Sequence, residues 1–418
     1  MKEWKKVTLD QMGIISRGKS KHRPRNDARL FGGKYPFIQT GDIGTAGLYV
    51  TEYSQTYNDE GLAQSKLWEK DTLCITIAAN IADTALLAFP ACFPDSIMGF
   101  IPFENVANVK FVKYCFDILQ RDCQQISQGT AQDNLSWKKL STILFPCPPI
   151  EIQNKIATIL SRYDSLIENY QKQIKLLEES AQRLYKEWFI DLRFPGHENT
   201  KIVDGVPEGW EKKPFGSIIE YEIGGGWGAD TKSSNEVIPA YVIRGTDMKA
   251  LDMGIWNELP YRFHQENNYR ARRLMHNDIV FEVSGGSKNE GVAKTILIQQ
   301  ELLDKLDNQV ICASFCKLIR LKDNSIAYYI YDTLKDWRAS GITTQYDKRS
   351  ASSIVNYRWK DFLSQQEITM PNEFILRDYI KKSELIHSSI TKMSSKINHL
   401  TEARDRLLPK LMSGEIEV

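Results

Sequence analysis

A chain of 418 residues, 42% hydrophobic and 26% charged, has the makeup of a globular protein and room for two or three domains with cores of their own. Its 54 Lys and Arg against 53 Asp and Glu are unlike a strongly basic nucleic-acid binder, so any electrostatic recognition must come from local clusters. Seven cysteines without a Cys-x-x-Cys pair read as reduced, buried thiols, and no apolar stretch follows Met-Lys-Glu-Trp-Lys-Lys, so a cytoplasmic chain without a secretory leader is expected.

Residues 1 to about 145 hold short strand-like runs, glycine turns and aromatics. The longest apolar tract, 73–93, is broken by Asn80, Asp83 and Pro90, and its Leu73/Ile75/Ile77 alternation predicts a strand, not a membrane span. Phe145-Pro146-Cys147-Pro148-Pro149 stops regular structure. From Glu151 the period changes: Ile152, Ile156, Ile159, Tyr163, Leu166, Tyr170, Ile174, Leu177, Ala181, Leu184 and Trp188 fall at spacings of four and three, which predicts a long amphipathic helix. Phe194-Pro195-Gly196 ends it, and Pro207-Glu208-Gly209-Trp210 opens a second mixed segment that Met370-Pro371-Asn372 closes. A second helix follows on Ile375, Tyr379, Ile386, Ile390, Met393, Ile397, Leu400, Leu407 and Leu411, with Pro409 and Gly414 expected to close it.

The second half repeats the order of the first. Trp4, Phe37 to Ile43, Leu67 to Leu73, Trp137 to Leu140 and the helical run from Ile174 match Trp210, Val242 to Met248, Leu274 to Val280, Trp359 to Phe362 and the run from Ile397. This period is far longer than the ~20–50 residues of a solenoid repeat, so the chain is a duplicated domain-plus-helix. The expected fold class is mixed α/β (α+β): two pseudo-symmetric domains and a long antiparallel, coiled-coil-like helix pair, divided as 1–148, 149–193, 194–372 and 373–418. The alternative is that each helix packs only on its own domain.

A search for chemistry comes back empty. Cys147-Pro148-Pro149-Ile150 lacks the amide and the aromatic ring with which an adenine methyltransferase tetrapeptide holds a flipped base. Gly224-Gly225-Gly226-Trp227-Gly228 lacks the lysine of a phosphate loop and reads as a flexible turn. Glu211-Lys212-Lys213 and Asp247-Met248-Lys249 give acid-x-Lys triplets of the kind that chance supplies, and six scattered histidines form no metal or triad pattern. No catalytic residue and no metal site are expected.

At this length and order the chain resembles the specificity subunit of a type I restriction-modification system. The resemblance rests on Pro148 to Leu160 (PPIEIQNKIATIL), Trp188 to Gly196 (WFIDLRFPG), Val206 to Trp210 (VPEGW) and Leu408 to Ile416 (LPKLMSGEI). It departs where Ile152 separates Glu151 from Gln153, and where Met370-Pro371-Asn372 lacks paired prolines. The resemblance implies two target-recognition domains reading a bipartite double-stranded DNA target, no catalysis in this chain, two methyltransferase subunits docked on the helices, and restriction/motor subunits joining them. S-adenosylmethionine, ATP and Mg would belong to those partners, with Ile152, Ile156, Trp188, Phe189, Leu407 and Leu411 as partner-binding candidates. A stand-alone bipartite DNA-binding regulator or scaffold is the alternative. A single-polypeptide enzyme is disfavoured by the missing cofactor motifs and the Glu415 to Val418 ending.

Phosphate contacts supply affinity and base edges supply sequence. Arg17, Lys19, Lys21 and Arg23 are expected to form a mobile basic loop between Gly18 and Pro24, and Arg262, Arg270, Arg272 and Arg273 a second cluster. Gln39-Thr40 and Arg244 with Thr246 hold one repeat position with different chemistry, as two different half-sites require. Gln128, Thr130, Gln132 and Asn134 match in order a loop bearing Tyr346, Lys348 and Arg349, and Ser287-Lys288 follows a glycine pair; all are DNA-contact candidates. Asp42, Asp71, Asp247 and Asp278 are expected to cap turns. If the helices act as a ruler, inserting a heptad within 160–185 should disturb the half-site spacing or the assembly.

Overall fold

The computed structural model describes residues 4–78, 82–127, 140–252, 255–256, 259–285, 291–349 and 354–418, with backbone only at 121–127 and 349. The chain forms two compact units, Met1–Asn169 with His399–Val418, and Tyr170–Asn398. This division cuts across the four expected segments, because each long helix contributes residues to both units.

In unit 1 the strands that matter are β1 (Gly13–Arg17), β2 (Phe31–Phe37), β3 (Gln55–Tyr57), β4 (Leu73–Thr76), β5 (Thr84–Leu87), β6 (Ala91–Cys92) and β7 (Ile97–Pro102), followed by helices α1 (Val109–Ser127) and α2 (Ile150–Tyr185). One sheet runs β1-β7-β4-β5, with Tyr49–Val50 at its edge; the other runs β3-β2-β6, with Leu67–Trp68 beyond. In unit 2 they are β8 (Ile219–Gly224), β9 (Ile238–Ile243), β10 (Tyr261–His264), β11 (Ile279–Glu282), β12 (Thr295–Leu297), β13 (Val310–Cys312) and β14 (Cys316–Leu321), followed by α3 (Ala327–Ala339) and α4 (Glu373–Met412). Its sheets run β8-β14-β11-β12 and β10-β9-β13, the same order twice over. Even the mixed pairing recurs, since β2/β6 and β9/β13 are parallel while β2/β3 and β9/β10 are antiparallel. Each unit also closes with a short antiparallel pair, Lys6–Val7 on Phe145–Pro146 and Glu211–Pro214 on Glu367–Met370.

The central strands Leu73–Thr76 and Ile279–Glu282 are buried along their whole length, as strands covered on both faces must be. Their pairings place Leu73 with Ile279, since Leu73 faces Leu86 and Phe100 where Ile279 faces Leu297 and Ile319. The alignment of Leu73 with Val280 was therefore one residue out. The structural anchor is the left-handed residue before each strand, Asp71 (φ 64) and Asn277 (φ 69).

The helix α2 spans 36 residues, about 54 Å at 1.5 Å per residue, and α4 spans 40. Within unit 1, Asp164 of α2 meets Arg404 of α4 at 2.7 Å, and Ile156 and Leu160 share a core with Leu411 and Met412. Within unit 2, Lys396 lies over the Tyr170 ring and Tyr379 packs on Tyr185 and Trp188. In each unit the two helices are antiparallel neighbours. Leu166 is exposed and Ile167 buried, so the stripe turns by one residue there. Pro409 lies inside α4, which continues to Met412; Gly414, at φ +73 against the Trp4 ring, is the residue that ends it.

Candidate nucleic-acid interface

The basic run of unit 1 starts where β1 ends. Gly18 N–H donates to the Ile97 carbonyl (2.8 Å) and Lys19 N–H to the Phe93 carbonyl (3.0 Å). The Gln64 side chain then accepts from the Lys21 and His22 amides (2.6 and 3.0 Å), and Ser65 Oγ donates to the Lys19 carbonyl (2.7 Å). The loop expected to be mobile is thus braced along its backbone by strand ends and by the helix Asp59–Ala63 with its following residues. Its charges divide. Arg25 pairs with Asp95 at 2.6 Å, Arg29 with Asp27 at 2.7 Å, and Arg23 donates to the Ser20 and His22 carbonyls. The Arg29 side chain and amide, with His22, hold the Asp27 carboxyl well below the usual carboxylate range. Arg17, Lys19 and Lys21 are exposed and make no ion pair among the described residues, which leaves them for an outside anion.

Gln39 and Arg244 do occupy one structural position. Each precedes a tight turn whose third following residue returns a carboxylate to its amide: Asp42 accepts from Gln39 N–H at 2.7 Å, and Asp247 from Arg244 N–H at 2.9 Å. Asp278 likewise accepts from Met275 N–H (2.7 Å), whereas the Asp71 carboxylate takes the Tyr49 hydroxyl. Gln39 is exposed beside Gln55, with Thr40 half-buried, while Thr246 is exposed. Arg244 differs from expectation, because its guanidinium lies on Asp247 at 2.6–3.1 Å and its charge is already matched.

Tyr346 is a core residue, 4% exposed and packed on Tyr357 and Phe362, so it is withdrawn as a DNA contact. Lys348 is exposed on the short strand Asp347–Arg349. Gln128, Thr130, Gln132, Asn134, Ser287 and Lys288, and the side chain of Arg349, lie outside the described residues. The second arginine cluster disperses: Arg270 pairs with Glu266, Arg262 pairs with Asp230 beneath the Trp227 ring, and Arg272 donates to the Gly224 carbonyl at 2.9 Å. No group of carboxylates, imidazoles and thiols able to hold a metal occurs among the described residues.

A family model described as type I restriction modification DNA specificity domain matches residues 1–179. The chain is 26% identical to the MjaIX specificity subunit of Methanocaldococcus jannaschii over 100% of this chain and 94% of that protein. It is 23% identical to the HindI specificity subunit of Haemophilus influenzae, with both covered in full. Residues 1–179 thus match a type I specificity domain, and over its whole length the chain is similar to type I restriction-modification specificity subunits. The crystal structure of the S subunit from M. genitalium shows the same fold, with a TM-score of 0.62 at 17% identity over 98% of this chain and 96% of that one.

A specificity subunit recognises DNA sequence within a restriction-modification complex and is not itself an enzyme. The stand-alone regulator or scaffold finds no support among these relatives. No described helix is long and apolar enough to cross a membrane. In this chain the motifs that carried the resemblance are structural. Gln153, fully buried, accepts from Asn108 N–H (3.0 Å) and donates to the Val106 and Pro148 carbonyls, tying the start of α2 to the domain. Trp188 and Phe189 join Phe194, Trp210, Tyr329 and Tyr379 in one aromatic core. The six partner-binding candidates need correction for the same reason. Ile156, Trp188 and Leu411 are buried, and Ile152, Phe189 and Leu407 pack against the cores, because the apolar stripe of each helix is consumed by the subunit itself. The apolar side chains left open on α2 and α4 are Leu166, Leu176, Phe374 and Leu385.

Two polar contacts fix the helices to the domains. In unit 1 the Tyr114 hydroxyl of α1 donates to Asp164, which also holds Arg404. In unit 2 Asp332 of α3 accepts from Tyr379 (2.7 Å) and Ser383 (2.6 Å) and pairs with His387 (2.8 Å), all on α4. Of these residues the apolar periodicity picked out Tyr379 alone; for the others, polar side chains at core spacing were the available signal.

Proposed function

We propose that the two units each read one half of a split double-stranded DNA target, and that the subunit delivers two methyltransferase subunits and the restriction/motor subunits to that site. The observation that carries this reading is one strand order built twice, with different side chains at equivalent edges: Gln39 against Arg244, and a lysine-bearing loop against a glycine-rich one. A single scaffold with two sets of contact residues addresses two different short sequences. Arg17, Lys19 and Lys21 take phosphates in unit 1, and Gln39, Thr40, Thr246 and Lys348 are carried forward as contact candidates.

The partners dock on the outward side of the long helices, for which exposed Leu176 (64%), Phe374 (77%) and Leu385 (63%) are the candidates in place of the six buried residues. An exposed leucine on a helix already packed on its other face is open to a second protein. S-adenosylmethionine, ATP and Mg would belong to those partner subunits, and the assembly would work in the cytoplasm, where its DNA target lies. Sequencing the methylome of a strain that carries this gene with its partners tests the reading. Methylated adenines in a motif of two defined parts around unspecified bases are expected; a continuous motif, or none dependent on this chain, overturns it.

A further inference from the structure

The two units invite comparison at a place where their sequences share almost nothing, the loop after the first strand. Gly18 follows β1 and Gly225 follows β8. Gly18 N–H bonds the Ile97 carbonyl and the next amide bonds that of Phe93; Gly225 N–H bonds the Cys316 carbonyl and the next amide bonds that of Cys312. Ile97 and Cys316 hold the same register position, each opening the strand that pairs with both the first strand and the buried central one. A Cβ on Gly18 would stand 2.2 Å from the Pro94 carbonyl oxygen, and one on Gly225 would stand 2.2 Å from that of Ala313. Such approaches admit only glycine. Each loop is braced from the end of the equivalent helix, by Gln64 in unit 1 and by Arg272 in unit 2. The lysine-bearing loop and the Gly224–Gly228 run are therefore one structural element with two chemistries.

In unit 2 this element floors a cleft of about 230 Å³. Trp227, 39% exposed, lies 4.5 Å from the Arg262 guanidinium at its mouth. His264 lines it at 4% exposure, and its Nε2 has no hydrogen-bond partner among the described residues. Burial holds that imidazole's pKa below its ordinary value, which favours the neutral ring. Glu236, Gln265, Asn268 and Arg272 complete the polar lining; Asn268 accepts from Arg272 through Oδ1, which leaves its amide NH₂ as a donor. A phosphate presents only acceptors: Glu236 opposes it, and Arg272, which also lines the cleft, already donates to the Gly224 carbonyl and to Asn268. A base edge presents donors and acceptors side by side and suits a carboxylate, a neutral imidazole and an amide together.

We propose that this cleft, built from Trp227, Glu236, His264 and Asn268, reads a base edge in the half-site taken by unit 2, while the equivalent loop of unit 1 contacts phosphate through Lys19 and Lys21. The inference rests on the reading of the chain as a two-part DNA reader. It locates a determinant of specificity in a run that lacks any basic residue between Gly224 and Asp230.

The test uses the full chain co-expressed with its methyltransferase partners, with methylome sequencing as the readout. Asn268→Ala, at an exposed position outside the core, should lose about 10-fold discrimination at one base position of one half-site, leaving the other half-site intact. Trp227→Ala should relax the same half-site. An unchanged motif with Asn268→Ala and Trp227→Ala, or equal weakening of both half-sites, overturns the assignment. If the unaltered chain itself directs no split motif, the underlying reading fails instead, so the two failures are distinguishable.

Discussion

Unit 1 and unit 2 fold the same strands in the same order, yet they fasten the long helices by opposite chemistry. At the first contact a tyrosine on the domain helix donates to an aspartate on the long helix; at the second the aspartate sits on the domain helix and the donors come from the long one. Counted from the helix starts, Asp164 is residue 15 of α2 and His387 is residue 15 of α4, so one position carries both solutions. A duplicated fold thus keeps backbone geometry while each copy is free to choose its polar partners, provided that every buried donor finds an acceptor.

The largest effect should come from breaking the richer of the two locks. Asp332→Ala strands Tyr379, Ser383 and His387 in a buried site and is expected to cost about 3–5 kcal/mol, read as an early transition in chemical denaturation. A shift below 1 kcal/mol would mean that the lock holds nothing. The same site gives a pH signature. Burial pushes the Asp332 carboxyl up, but His387 and the bonds from His387, Ser383 and Tyr379 outweigh it and hold it below its ordinary value. Its stabilisation is therefore complete above the ordinary carboxylate value and lost as pH falls through the depressed one. The transition of the unaltered chain should move to lower denaturant as pH falls through the ordinary carboxylate value and towards the depressed one.

Next comes Gly225→Ala, whose Cβ would meet main-chain oxygens; a loss of about 1–3 kcal/mol is expected with changes confined to one half-site. Tyr114→Phe should cost less, about 0.5–1.5 kcal/mol, because Arg404 remains on Asp164. Smallest is Lys19→Ala, which should leave the motif unchanged and lower the salt slope of DNA binding by about 0.9. A base preference altered by this last variant would erase the proposed division between a phosphate-contacting loop and a base-reading one.

Much of this architecture was legible in the order of residues. The repeat, both helix starts and the four motifs stood out because prolines, tryptophans and apolar spacing are strong local signals. What escaped were positions where polar residues sit on an apolar stripe: Gln153, Asp164, Ser383 and His387 are buried, and a search for hydrophobic period steps over them. The six residues assigned to partners were misjudged for the converse reason, since a strong apolar stripe fills its own core first. The likeness of the loops after β1 and β8 was hidden because it resides in backbone bonds, with one shared glycine as its trace. Four of the seven contact candidates in the paired loops, Gln128, Thr130, Gln132 and Asn134, lie outside the described residues and stay with the sequence reading alone.

The two units also differ in how the chain reaches them. Unit 2 is one uninterrupted stretch, Tyr170–Asn398, whereas unit 1 gathers Met1–Asn169 and then His399–Val418, with Leu411 and Met412 buried in its core. Domains emerging from a ribosome usually finish in the order they are made. Here the first-made unit must wait, its groove for α4 vacant, until the last turn of that helix has been synthesised, so the second-made unit is the first that can be completed.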